Sequence, residues 1–160
     1  MTHQHEHGKE HPQSTGPSLN RVAFSATVHC LSGCAIGEVL GMVIGTAAGF
    51  SNLATVALAI CLAFLFGYSF TLVPLVRGGM AFGRALSVAL ASDTAFITVM
   101  EIVDNAIMLT IPGAMDAHLT SLFFWMSLAF ALLVAGAAAF PLNRWLISRG
   151  HGHALVHGHH

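Results

Sequence analysis

Hydrophobic residues fall in four long runs, at about 21–49, 53–76, 80–111 and 119–147. Each exceeds the roughly 20 residues that a helix needs to cross a bilayer. Helix is the expected form because backbone groups in lipid must be satisfied within their own segment. Short connectors separate the runs: Ser51-Asn52, Arg77-Gly78-Gly79, and Pro112-Gly113 with Asp116. Pro74 and Pro141 stand near run ends, where proline can be tolerated. The pattern predicts an all-α membrane protein, with four transmembrane helices in an antiparallel bundle over residues 20–149. Polar His-rich tails flank it at 1–19 and 150–160, and their low hydrophobicity predicts disorder.

The third run breaks its own pattern. Between residues 93 and 108 it holds three carboxylates, Asp93, Glu101 and Asp104. At about 100° per residue, Asp93, Asp104, Met108, Glu101, Thr94, Asn105 and Thr98 fill one arc of about 140°. Only Ile97 intrudes on that arc, and apolar side chains fill the rest of the helix. A carboxylate facing lipid costs about 2.5–3.5 kcal/mol on insertion scales. Three on one side predict a face that meets water, an ion or partner side chains.

The first run carries two rows at one-turn spacing. Gly33, Gly37, Gly41 and Gly45 form an extended small-residue row, with His29 at one end. Such a row lets another helix approach closely. Beside it run Cys30, Cys34, Glu38 and Met42, which are soft and borderline metal-ligand types. A helix packed on the glycine row is expected to bring Glu38 and the third-run carboxylates into one site. Cys alone usually packs as a small hydrophobe, and Cys61, without polar neighbours, is read that way. The second run, with Phe64, Phe66, Tyr68 and Phe70, reads as a wall. In the fourth, the Ala135–Ala139 stretch fits close packing and Trp145 an interfacial position. Met115, Asp116 and His118 stand at the mouth beside the third run.

Composition agrees with the hydropathy pattern. The 160 residues are 55% hydrophobic and 8% charged, against about a quarter charged in a soluble domain. The net charge of -1 leaves no nucleic-acid footprint. All six basic residues, Lys9, Arg21, Arg77, Arg84, Arg144 and Arg149, fall on one side of a four-span topology. By the positive-inside rule both termini face the cytoplasm. Eleven His outnumber Lys and Arg together, and nine of them lie in the tails, a composition that can bind transition metal loosely.

The blocks His29-Cys-Leu-Ser-Gly-Cys-Ala-Ile-Gly-Glu38 and Ser92-Asp-Thr-Ala-Phe-Ile-Thr-Val-Met-Glu-Ile-Val-Asp-Asn105 resemble a family of small bacterial multi-pass membrane proteins known only as a domain of unknown function, often with His-rich ends. The resemblance covers about residues 20–148 and implies a bacterial inner (plasma) membrane location, but no activity. A looser similarity to four-span mercury-uptake proteins rests on paired Cys in the first span. Here the pair is spaced by three residues rather than adjacent, and mercury carriers do not need three carboxylates on the third span.

The expected function is a transporter or channel for a transition-metal ion such as copper or zinc, with a thiol and carboxylate site between the first and third spans. The residues expected to carry it are His29, Cys30, Cys34, Glu38 and Met42, with Asp93, Thr94, Thr98, Glu101, Asp104, Asn105 and Met108. No organic cofactor is expected. The alternatives are a proton or monovalent-cation pathway through the same carboxylates, and a membrane redox protein with a metal centre. The Glu-x-x-His pairs of di-iron bundles are missing, which weighs against an enzyme. The expected partners are lipid, the cation and a second copy of the chain, since one 160-residue protomer offers little interior and the glycine row can serve an oligomer.

Overall fold

The computed structural model describes residues 18–149, so the expectation of disordered His-rich tails lies outside the described residues. Four helices follow one another: α1 Leu19–Ala47, α2 Asn52–Arg77, α3 Phe82–Thr110 and α4 Leu122–Ser148. They match the four hydrophobic runs to within three residues at every end. The largest shift is at the start of α4. There Trp125 donates its Nε1–H to the Leu119 carbonyl at 2.7 Å, and Ser121 caps the helix by accepting from the Phe123 N–H. Residues 119–121 therefore belong to the connector. Ser51 caps α2 in the same way through the Ala54 N–H. Gly49 and Gly79 close α1 and α2 at φ of 71° and 89°, a left-handed conformation that glycine adopts without a side-chain penalty.

Among the described residues, all four helices are long and apolar enough to cross a membrane. The chain is a multi-pass membrane protein. Its outer surface carries large apolar side chains suited to lipid, among them Phe24, Leu53, Leu65, Ile102, Leu109 and Leu133.

The helices pack in a ring. α1 touches α2 and α4, α3 touches the same two, and α1 and α3 face each other across the diagonal. The glycine row decides the closest contact. A Cβ at Gly37 would run into the backbone of Leu62 and Ala63, and one at Gly41 into the backbone of Ala59. Gly33 sits over Gly67 and Phe70, and Gly45 over Thr55. The row therefore packs on α2, antiparallel, and not on α3. It is buried inside one chain, which removes the glycine row as a reason to expect a second copy. On the other flank, Leu31 of α1 packs against Gly136 in the small-residue stretch of α4, where Ala131, Ala135 and Ala139 are fully buried.

Candidate functional site

Drawing α1 against α2 by its glycines turns the adjacent row of α1 toward the centre of the ring. Cys30, Cys34, Glu38 and Met42 are all buried, none more than 5% exposed. From the other side of the diagonal, Asp93, Glu101, Asp104 and Met108 point inward and are buried to the same degree. Because the α1 and α3 backbones stay apart, the space between them is filled by side chains. The result is a column of polar groups parallel to the helix axes.

The column has two levels. At the end carrying Arg21, Arg77, Arg84 and Arg144, the Cys30 thiol donates to Asp93 Oδ1 at 3.8 Å, and Ser92 Oγ donates to the same oxygen at 3.0 Å. About 12 Å further along α1, by the rise of 1.5 Å per residue, Glu38 meets Asp104, the two carboxyls lying within interaction range of each other and of Glu101. Cys34 stands between the levels, its thiol in electrostatic range of Glu101, Asp93 and Glu38. Apolar walls enclose the column. Phe96, Ile97 and Met100 of α3 pack with Cys30, Cys34, Ala63, Ala135 and Ala139 around its first half. Met42, Met108, Phe124 and Leu128 close the other end.

The second level is chemically incomplete. Both oxygens of Glu38, both of Asp104 and Oε1 of Glu101 are buried without a hydrogen-bond donor. Glu101 Oε2 receives one long bond, from Asn105 Nδ2 at 3.4 Å. Carboxylates only accept, so two of them side by side satisfy nothing in each other. A buried carboxylate normally has a basic or donor partner. Among the described residues the basic side chains Arg21, Arg77, Arg84, Arg144 and Arg149 all stand near helix ends, and none partners these oxygens. What completes this level therefore comes from outside the described side chains, as a proton, water or a cation would. Among the described residues no group of three or more His, Cys, Asp and Glu side chains is arranged to hold a metal ion. The donors lie in sequence along the column, not in one shell.

Several expected members lie elsewhere. His29 is exposed on the flank of α1, where its Nε2–H donates to the Phe70 carbonyl at 3.0 Å and its ring packs on Phe70. It is one position from Cys30 but about 100° round the helix, on the glycine-row side, and it clamps α1 to α2. Thr94 and Thr98 are exposed on the outer face of α3. Thr94 donates to the Leu90 carbonyl at 2.6 Å and accepts from Tyr68, and Thr98 donates to the Thr94 carbonyl at 2.7 Å. Asn105 is half-buried at the edge. The polar arc and the buried arc of α3 thus overlap only over Asp93, Asp104, Met108 and Glu101. Ile97, the apparent intruder, is fully buried within that same stripe, one turn from both Asp93 and Glu101, with Phe96 and Met100 buried on its flank. Cys61 is exposed on the outer surface rather than packed in the interior.

One polar pair escaped the sequence reading. Asn143 of α4 donates Nδ2–H to Thr27 Oγ1 at 3.0 Å, both residues buried, one turn before Cys30 toward the arginine end. The signal was present: a lone amide inside the apolar fourth run, and a threonine in line with the Cys30 row. The Thr27–Asn143 pair extends the column at that end.

The matching family model spans residues 19–152, all four helices included. The chain belongs to the family described as Domain of unknown function (DUF4396). That membership agrees with the resemblance carried by the His29–Glu38 and Ser92–Asn105 blocks, which hold both halves of the column. No curated protein and no solved structure is similar enough to match.

Proposed function

We propose that this protein moves a transition-metal cation across a bacterial inner membrane, along the column between α1 and α3. The observation that carries the reading is the pair Glu38–Asp104. Two carboxyl groups, each 1% exposed and without a donor from the other described side chains, face each other inside a membrane-length bundle. Intramembrane ionisable groups of this kind line ion and proton routes. Cys30 and Cys34 on one side, and Met42 and Met108 on the other, extend the carboxylates with sulfur donors, a mixture that suits borderline and soft metal ions. Donors spaced along a path, rather than gathered in one shell, suit a cargo that must leave as readily as it arrives. The clustering of every Lys and Arg at one end of the topology supports an orientation with both termini, and the connector 78–81, in the cytoplasm.

The experiment is flux and metal content of the full-length protein in liposomes. Zn²⁺ or Cu⁺ uptake is expected in the wild type and is lost in Glu38→Gln and Asp104→Asn. Uptake unchanged in both variants overturns the proposal. A second reading, a proton pathway, is favoured by the same pair, because one shared proton would link Glu38 to Asp104 with no metal at all. The two readings separate in the double variant Cys30→Ser, Cys34→Ser. Metal flux falls if thiols handle the ion, and proton flux is untouched if the carboxyls act alone.

A further inference from the structure

At the end of the bundle away from the arginines, the connectors 48–51 and 111–121 border a cleft of about 280 Å³. Asn52, Met115, Asp116 and His118 line it at the surface, and the buried Met42 lines it from within. Asn52 donates Nδ2–H to Asp116 Oδ1 at 3.3 Å, which ties the start of α2 to the 111–121 connector and sets the Asp116 carboxylate in the wall. Met42 belongs both to this cleft and to the apolar cluster with Met108 that caps the column. It lies one helical turn from Glu38. Met42, with Met108 and Phe124 of the same cluster, therefore stands between the cleft and the Glu38–Asp104 level.

We infer that the cleft is a cation vestibule, in which His118 and Asp116 hold a transition-metal ion at the mouth and Met42 divides it from the column. This rests on the cation path proposed above and assigns its outer station. An imidazole, a carboxylate and the neighbouring Met115 thioether form a borderline donor set. His118 and Asp116 are both exposed. Two strong donors at the surface hold an ion reversibly, as a station on a route requires. The methionine layer is apolar to water but offers sulfur to a soft ion, so it closes the column to bulk solvent without closing it to the cargo.

The test uses an optical reporter that the fold supplies. Trp125 packs edge-on against Phe124 and donates to the Leu119 carbonyl, and Phe124 and Leu119 line the cleft. The chain has two Trp, so Trp145→Phe leaves Trp125 as the sole reporter. Full-length protein in lipid nanodiscs is titrated with Cu²⁺ alone. Saturable quenching of Trp125 is expected, and His118→Gln or Asp116→Asn raises the half-saturating concentration about tenfold or more, since losing even a group that only supports a metal ligand costs that much. Quenching that is absent, or indifferent to both substitutions, overturns the vestibule. In the Glu38→Gln variant the quenching is retained while flux is lost. If quenching fails but flux still depends on Glu38, the vestibule falls and the cation path stands. If flux ignores Glu38, the path falls and the cleft loses its role as a station on it.

Discussion

α1 meets its neighbours in two opposite ways, and the contrast organises the molecule. Toward α2 it presents glycines, and the two backbones come so close that a methyl group at Gly37 or Gly41 has nowhere to go. Toward α3 it presents Cys30, Cys34, Glu38 and Met42, and only side chains cross the gap. The rows are adjacent on one helix, so packing the first aims the second. Small residues thus do for the polar column what a long side chain cannot. They fix the rotation of α1 about its axis without occupying space, and in a bilayer, where apolar burial between helices gains little over lipid, close van der Waals contact is the main source of that fixation.

The sharpest way to break the contrast is to put bulk into the glycine row. Gly37→Leu is expected to separate α1 from α2 and destabilise the fold by about 3 kcal/mol, the upper end for overpacking. The measurement is thermal unfolding in detergent, with Gly33→Ala, whose nearest neighbours stand at 3.2 Å, as the mild comparison. A Gly37→Leu protein that melts like the wild type would show that the close approach is not what orients α1.

The opposite behaviour is expected on the other row. Replacing both members of the pair, Glu38→Leu with Asp104→Leu, is expected to raise stability by about 1–4 kcal/mol, as happens when buried charged groups are exchanged for apolar ones of similar size, while ion flux disappears. Loss of folding in that variant would make the carboxyl pair structural. Between the two lies Asn143→Leu, which strands the buried Thr27 hydroxyl and is expected to cost about 1–3 kcal/mol with flux altered only modestly. The smallest effect belongs to Thr98→Val. Its hydroxyl bonds its own helix at the outer surface, so stability and flux are both expected to stay within about 0.5 kcal/mol of the wild type. A strong flux defect there would return Thr98 to the site.

Much of the fold was legible because its determinants are local. Hydropathy acts within one continuous run of about 25 residues, and the Ser caps at 51 and 121 and Gly at 49 and 79 act within a turn or two of chain. The core of the site was legible for a related reason. Cys30, Cys34, Glu38, Asp93, Glu101 and Asp104 each lie in an apolar run where a polar group has few tolerable places. His29, Thr94 and Thr98 misled because a helical projection counts polarity without asking how each group is satisfied. His29 reaches the Phe70 carbonyl, and the threonines bond carbonyls one turn back, so all three can face outward. A carboxylate has less recourse within its own helix, since it needs donors and the backbone along the helix offers only carbonyls; Ser92 and Asn105 supply side-chain donors to Asp93 and Glu101, and Glu38 and Asp104 have none among the described residues.

The sequence by itself determined four membrane-length helices and the residues too polar to be left in lipid, because covalent order and hydropathy are enough to count spans and mark exceptions. Only the tertiary structure decided which helix the glycine row would meet, and with it which flank of α3 turned inward. That choice depends on backbone approach between α1 and α2, a contact between segments that local pattern does not encode. It placed Glu38 opposite Asp104 across the diagonal rather than against a packed neighbour.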